Sequence, residues 1–133
     1  SDAFVEGTGK LAEGVVAFRE GAPTENLPGG QFFLEKYQAE KYDSPPEAYG
    51  AFSFAAMNLV LDAIEQVGPN RKKVRDVLNK TSGRDSIVGE ISFDDHGQNT
   101  VALITKYVIQ DGKWTVWEDS DYAAGKRKLV GQK

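Results

Sequence analysis

The chain contains no cysteine, which excludes a disulfide framework, a thiolate nucleophile and cysteine-based zinc sites, and leaves the redox compartment open. Histidine occurs once, at His96, so no second imidazole can complete a zinc site. Long apolar runs are missing too: no stretch of about 18 apolar residues is there to cross a bilayer. Basic residues number 16 against 20 acidic ones, for a net charge of −4 and a pI near 5.0. The Lys and Arg residues are scattered, no continuous basic surface that tracks phosphates is expected, and nucleic acid is excluded as a partner class. The opening SDAFVEGTGK lacks the basic region, apolar stretch and cleavage site of a signal peptide. The chain is expected to be cytosolic, or else a mature segment whose targeting sequence is absent.

At 133 residues and 40% hydrophobic composition, the chain can bury a real core and reads as one domain or a piece of one. DAFVEGTGK is a short helical turn at most; LAEGVVAF, with Val15, Val16 and Phe18, reads as a buried strand. Residues 19–30 form a surface connection rich in glycine and proline. From Gln31, Phe32, Phe33, Leu34, Tyr37 and Tyr42 recur near helical spacing. A long helix follows from about Pro46 to Val67, with Gly68 as its C-cap and Pro69 beyond. Its apolar stripe is Tyr49, Phe52, Ala56, Leu59, Val60, Ala63, Ile64 and Val67, yet Phe54, Met57 and Leu61 fall outside. A helix apolar around most of its girth is expected to lie between other elements. NRKKVRDVLNKTSG is an amphipathic helix with Val74, Val77 and Leu78 inward and five basic residues on a solvated face. The remainder is β: SIVGEISFD, the turn DHGQN, VALITKYVIQ, the hairpin dipeptide Asp111-Gly112, and KWTVWED. DYAAGKRKLVGQK is a polar tail, read as a frayed helix.

Enzyme chemistry finds no support in this pattern. Asp94, Asp95, His96 and Asn99 lack the alternation and terminal Glu of a calcium loop and read as a plain turn. His96 with Ser86, Ser92 or Ser120 would need a nucleophile elbow that is absent. GTGKLAEG has a Gly-x-Gly but no preceding strand and no dinucleotide spacing. Phe4, Phe32, Phe33, Tyr37, Tyr49, Phe52 and Trp114 read as core more than as pocket. Tyr49 and Phe52 are the partial exception, because a helix start carries free N–H groups and the positive dipole end.

Five segments in order, DAFVEGTGKLAEGVVAF, FLEKYQAEKYDSPPEAYGAFSFAAMNLVLDAIEQVG, VRDVLNKTS, IVGEISFDDHGQN and ITKYVIQDGKWTVW, resemble the C-terminal portion of type I periplasmic substrate-binding proteins. The resemblance is strongest to the branched-chain amino-acid (Leu/Ile/Val-type) binding proteins of ABC transporters. It implies an α/β fold, specifically the C-terminal fragment of a two-lobed binding protein, with residues 1–119 contributing parts of both lobes and 120–133 a polar tail. It further implies a periplasmic location, capture of an amino acid or related small carboxylate between the lobes, delivery to an ABC permease, and no cofactor, metal or covalent step. At the ligand-bordering position near the start of the long helix the resemblance places Ala51, with Tyr49 and Phe52 beside it. The carboxylate that meets a ligand ammonium group falls upstream of Ser1, and Asp2 matches a flanking helix position, so the chain supplies one wall of the site.

Two other readings stand beside transport: a ligand-sensing regulatory domain of the same fold, and a small α+β enzyme using Asp94, Asp95 or His96. A fragment of a two-lobed protein exposes apolar faces, so self-association is expected, by exchange of the long helix or the C-terminal strands.

Overall fold

The structure, a computed structural model, describes residues 2–47, 49–101 and 104–129. The chain divides into two compact units, residues 1–22 with 103–133, and residues 23–102.

The first unit opens with α1 (Asp2–Thr8) and a 3-10 turn at Gly9–Ala12, followed by β1 (Val16–Glu20). The opening segment is thus a helix of seven residues and not a single turn. Phe4 on α1 places its ring 6.2 Å from that of Trp114, an anchor that composition alone does not reveal. β2 (Ile104–Gln110) pairs antiparallel with both β1 and β3 (Lys113–Val116), giving the order β1-β2-β3. Val16 stands opposite Val108, and Tyr107 opposite both Ala17 and Val116. β-branched pairs of this kind favour a pleated sheet. Val108 and Ile109, on opposite faces of β2, are both fully buried, as is Ala12. Phe18, expected inside a buried strand, is 68% exposed; β1 is an edge strand among the described residues, with nothing over that part of its face. The Asp111-Gly112 hairpin forms as the dipeptide suggests, with φ of 53° and 74° at its two central residues, the left-handed pair a type I′ turn demands.

In the second unit, a 3-10 turn at Thr24–Asn26 leads into α2 (Gly30–Ala39). The connection before α2 is not purely superficial, since Ala22 and Leu27 are buried. Gly29 and Gly30 are required by proximity: a Cβ at Gly30 would lie 1.7 Å from the Thr24 carbonyl oxygen, and one at Gly29 would lie 2.6 Å from Ile87 Cβ. That closeness lets the Gly29 N–H donate to the Ile87 carbonyl at 2.9 Å.

The long helix is α3 (Gly50–Val67), beginning four residues later than the sequence pattern suggests. Its C-cap is Gly68, whose N–H donates to the Ile64 carbonyl at 2.7 Å. The buried row is Ala51, Ala55, Leu59 and Ala63, spaced by four along one ridge of the helix. This corrects the expected stripe: Ala56 is exposed and Phe52, Val60, Ile64 and Val67 are only half-buried. Three of the four inward positions carry the smallest apolar side chain, which a reading weighted by hydrophobicity passes over. Phe54, Met57 and Leu61 are exposed, although Phe54 still meets the Phe33 ring. α4 (Arg71–Leu78) starts where the Asn70 side chain accepts from the Lys73 N–H at 3.1 Å, an N-cap worth about 1 kcal/mol.

SIVGEISFD, expected as a strand, folds back on itself. The Ser86 and Gly89 backbones exchange hydrogen bonds of 3.0 and 3.1 Å, and Arg84 pairs with Ile91. The Ser86 hydroxyl tightens this bend by accepting from the Val88 N–H and donating to the Gly89 carbonyl. The turn around His96 is held by Asp94, whose carboxylate accepts from the His96 and Gln98 N–H groups, each at 2.9 Å.

Replacing Gly112 by Ala forces an L-residue into the left-handed region and is expected to cost about 1–2 kcal/mol. Urea unfolding monitored by Trp114 and Trp117 fluorescence measures it, and an unchanged midpoint would rule out the I′ geometry.

Candidate functional site

The three residues expected at a ligand lie around the start of α3, in the second unit. Tyr49 is the N-cap residue; its side chain makes no capping hydrogen bond and is 57% exposed. Phe52, half-buried, meets it edge to face with ring centroids 6.4 Å apart at 63°, a favourable aromatic geometry. Ala51 lies between them in sequence but is fully buried, on the inward row of α3. The structure therefore brings Tyr49 and Phe52 together as a surface pair and sets Ala51 behind them. Behind the helix start, Phe33 of α2 sits so near Gly50 that a Cβ there would lie 3.2 Å from its Cζ. The Phe33 ring then continues into an edge contact with Phe54 at 5.8 Å and a tilted contact with Tyr37 at 5.8 Å. This second aromatic cluster lies at the Gly50 and Phe54 side of the helix, apart from the Tyr49–Phe52 contact.

Also in the second unit, an open groove of about 370 Å³ runs along the α3–α4 seam. Leu59, Ala63, Val77 and Leu78 form its floor, and Asp62, Gln66, Thr81 and Arg84 its rim. Arg84 forms an ion pair with Asp62 across that rim. Lys80 also lines the groove, and it has no ion pair among the described residues.

In the first unit, the most concentrated set of charges is one that sequence reasoning missed. Arg127 donates to Glu13 at 3.0 Å and, in a fork, to both carboxylate oxygens of Asp111 at 3.0 and 2.9 Å. Asp121 lies 3.5 Å from its Nε. Forked pairs are among the stronger hydrogen bonds of proteins. The Asp111 carboxylate, above all, holds Arg127 protonated well beyond its ordinary range, and Glu13 adds to this. Tyr122 donates to Glu13 at 2.8 Å, and Gln110 accepts from the Asp121 N–H at 2.8 Å. Of the segment read as a frayed helix, residues 121–127 are instead turns and bends fastened to the sheet, and 130–133 lie outside the described residues; Ser120, just before it, is buried. Sequence gave only the signal of an Arg within a basic cluster; its carboxylate partners lie as far as 114 residues away.

No group of three or more metal-ligating side chains occurs among the described residues, at His96 or elsewhere. Nothing at α3, the groove or Arg127 assembles a nucleophile, base and oxyanion donors together.

A family model described as periplasmic binding protein matches residues 1–113. Among solved structures, the chain is similar to the leucine binding protein LivK of Thermotoga maritima, with 25% identity and a TM-score of 0.70 over 87% of this chain and 33% of that one. It is similar at 26% identity, TM-score 0.67, to LivJ of Streptococcus pneumoniae, a branched-chain amino acid transporter substrate binding protein solved with isoleucine, over 86% of this chain and 32% of that one. At 24% identity an ABC transporter substrate-binding protein from Desulfitobacterium hafniense shares the fold, with a TM-score of 0.67 over 82% and 32% of the two chains. The chain spans about a third of the length of these structures. No curated protein sequence matches it.

Burial first, and then the Glu13 carboxylate, raise the Tyr122 phenol above the usual tyrosine value, while Arg127 opposes them. The folded chain therefore holds this proton more tightly than the unfolded one. The resulting stability is complete below about pH 10, the unfolded tyrosine value, and is lost as pH rises through the raised one. A phenolate absorbance titration is expected to show a late-ionising tyrosine that Glu13→Gln moves back toward the ordinary value. Coincident titrations of the two proteins would contradict the contact.

Proposed function

The chain belongs to the periplasmic binding protein family, and from that membership we propose that it is part of the solute-binding component of an ABC transporter. The complete protein captures an amino-acid-like or small carboxylate ligand between two lobes in the periplasm and delivers it to a membrane permease. The observation that carries this reading is the family match across residues 1–113, supported by relatives that bind leucine and isoleucine. The protein acts by binding and closure, without catalysis.

Residues 1–119 supply parts of both lobes and 120–133 the tail. The division into two units supports this, since the chain passes from one unit to the other after residue 22 and returns after residue 102. Tyr49, Ala51 and Phe52 make one wall of the ligand site. Tyr49 and Phe52 offer the ligand an apolar, partly exposed pair, and Ala51, buried behind them, fixes the seat of the helix that carries both. Polar recognition of the ligand's charged groups is assigned to sequence outside this chain.

Thermal stabilisation of the complete protein by a panel of amino acids, aromatic acids and small amides is the direct test. A branched-chain amino acid is expected to raise the melting temperature, and a flat response across the panel would defeat the reading. Phe52→Ala is expected to weaken that ligand by about 1–2 kcal/mol, roughly tenfold or more in Kd, as read by calorimetry.

The isolated chain is expected to self-associate. Phe54, Met57 and Leu61 form an exposed apolar row on α3, and rows of this kind attract partners. Light scattering across a concentration series reports the mass, and a monomer at every concentration with a cooperative melt would contradict this.

A further inference from the structure

α4 carries Arg71, Lys72, Lys73 and Arg75, and Lys80 follows it within one turn. All five are exposed, and Asp76 is the one acidic residue between positions 69 and 84. Arg75 pairs with Asp76 at 2.8 Å. Arg71, Lys72, Lys73 and Lys80 form no ion pair among the described residues. In a chain of net charge −4, this is a local field of the opposite sign. Asp76 registers it: its carboxyl is held below the usual range by the Arg75 hydrogen bond, against some burial, and then by the charges of Arg75, Lys72 and Lys80.

We propose that the outer face of α4 is an electropositive docking surface for an anionic phospholipid bilayer. Two features favour lipid over an acidic protein. Three of the four unpaired cations are lysines, compact charges on flexible stems that suit a sheet of phosphates better than a forked carboxylate contact. The helix's own apolar residues are also spent inward, with Val77 and Leu78 on the floor of the α3–α4 groove. The exposed face of α4 is left without the desolvated aromatic or aliphatic anchor that centres most protein interfaces. The inference rests on the transport reading, since it presumes a protein working beside a membrane. It adds a means of holding the receptor near that surface, where encounter with a permease is a search in two dimensions.

The test is cosedimentation of the complete protein with phosphatidylglycerol-rich vesicles and with pure phosphatidylcholine vesicles. Binding is expected to the anionic vesicles alone, and to vanish near 1 M salt, where the screening length falls to about 3 Å. Joint replacement Lys72→Gln, Lys73→Gln and Lys80→Gln is expected to lower partitioning on the order of a hundredfold. Its melting temperature and ligand response should be unchanged, since all three side chains are exposed. Undiminished cosedimentation of the triple variant, or equal binding to phosphatidylcholine, would overturn the proposal. So would lysine-dependent capture by the permease in phosphatidylcholine nanodiscs without any vesicle binding, which would identify a protein partner. Should the wild-type protein bind anionic vesicles yet respond to no amino acid, the transport reading fails while the lipid surface stands.

Discussion

How closely other segments can approach α3 governs the second unit. The inward row Ala51, Ala55, Leu59 and Ala63 contains one bulky side chain, so neighbours pack almost onto the helix backbone. α4 lies along the Leu59–Ala63 end of this row, while Phe33 rests against Gly50, outside it. Alanine suits this role because it loses no side-chain entropy in a helix and leaves room for a partner's larger group. The cost appears on the opposite side, where Phe54, Met57 and Leu61 stand exposed. A helix that leaves these three exposed has more hydrophobic surface than the chain satisfies. That fits a chain spanning about a third of the solved structures it resembles.

Much of the fold was legible wherever local chemistry decides the geometry. Gly68 ends α3, and Asp111-Gly112 turns β2 into β3. Each depends on residues within a few positions of one another. The phase of α3 was not legible, because an almost uniformly apolar helix gives no polar face from which to infer which side packs. SIVGEISFD misled for a related reason: Ile87, Val88 and Ile91 have strand propensity, but the Ser86 hydroxyl and Gly89 close a bend within the segment. Propensity says nothing of where such a run reverses.

The candidate wall shows the same boundary between local and distant information. Tyr49 and Phe52 could be named from their place at a helix start, and their edge-to-face contact follows from a three-residue separation. That Ala51 is buried depends on how the rest of the unit packs on α3, which no pattern around residue 51 contains. The family resemblance pointed to this neighbourhood through motif order. Packing then separates the exposed Tyr49 and half-buried Phe52 rings from Ala51, which is buried.

The first unit is held by a different kind of physics. Val108 and Ile109 fill its centre, yet the descent of the tail onto the sheet is governed by charge. Arg127, Tyr122 and Asp121 lie after residue 113, where the family match ends, and their partners Glu13, Gln110 and Asp111 lie within it. Arg127 is about a third exposed, so screening by water limits the value of any one of these pairs. What distinguishes the arrangement is convergence: one guanidinium satisfies carboxylates from the turn before β1, from the β2–β3 hairpin and from the tail itself. A single hairpin has little independent stability, and a contact that ties its turn to two other segments restrains all three together. The residues that follow the family-matched segment thus act upon it, completing a sheet unit whose apolar core is small.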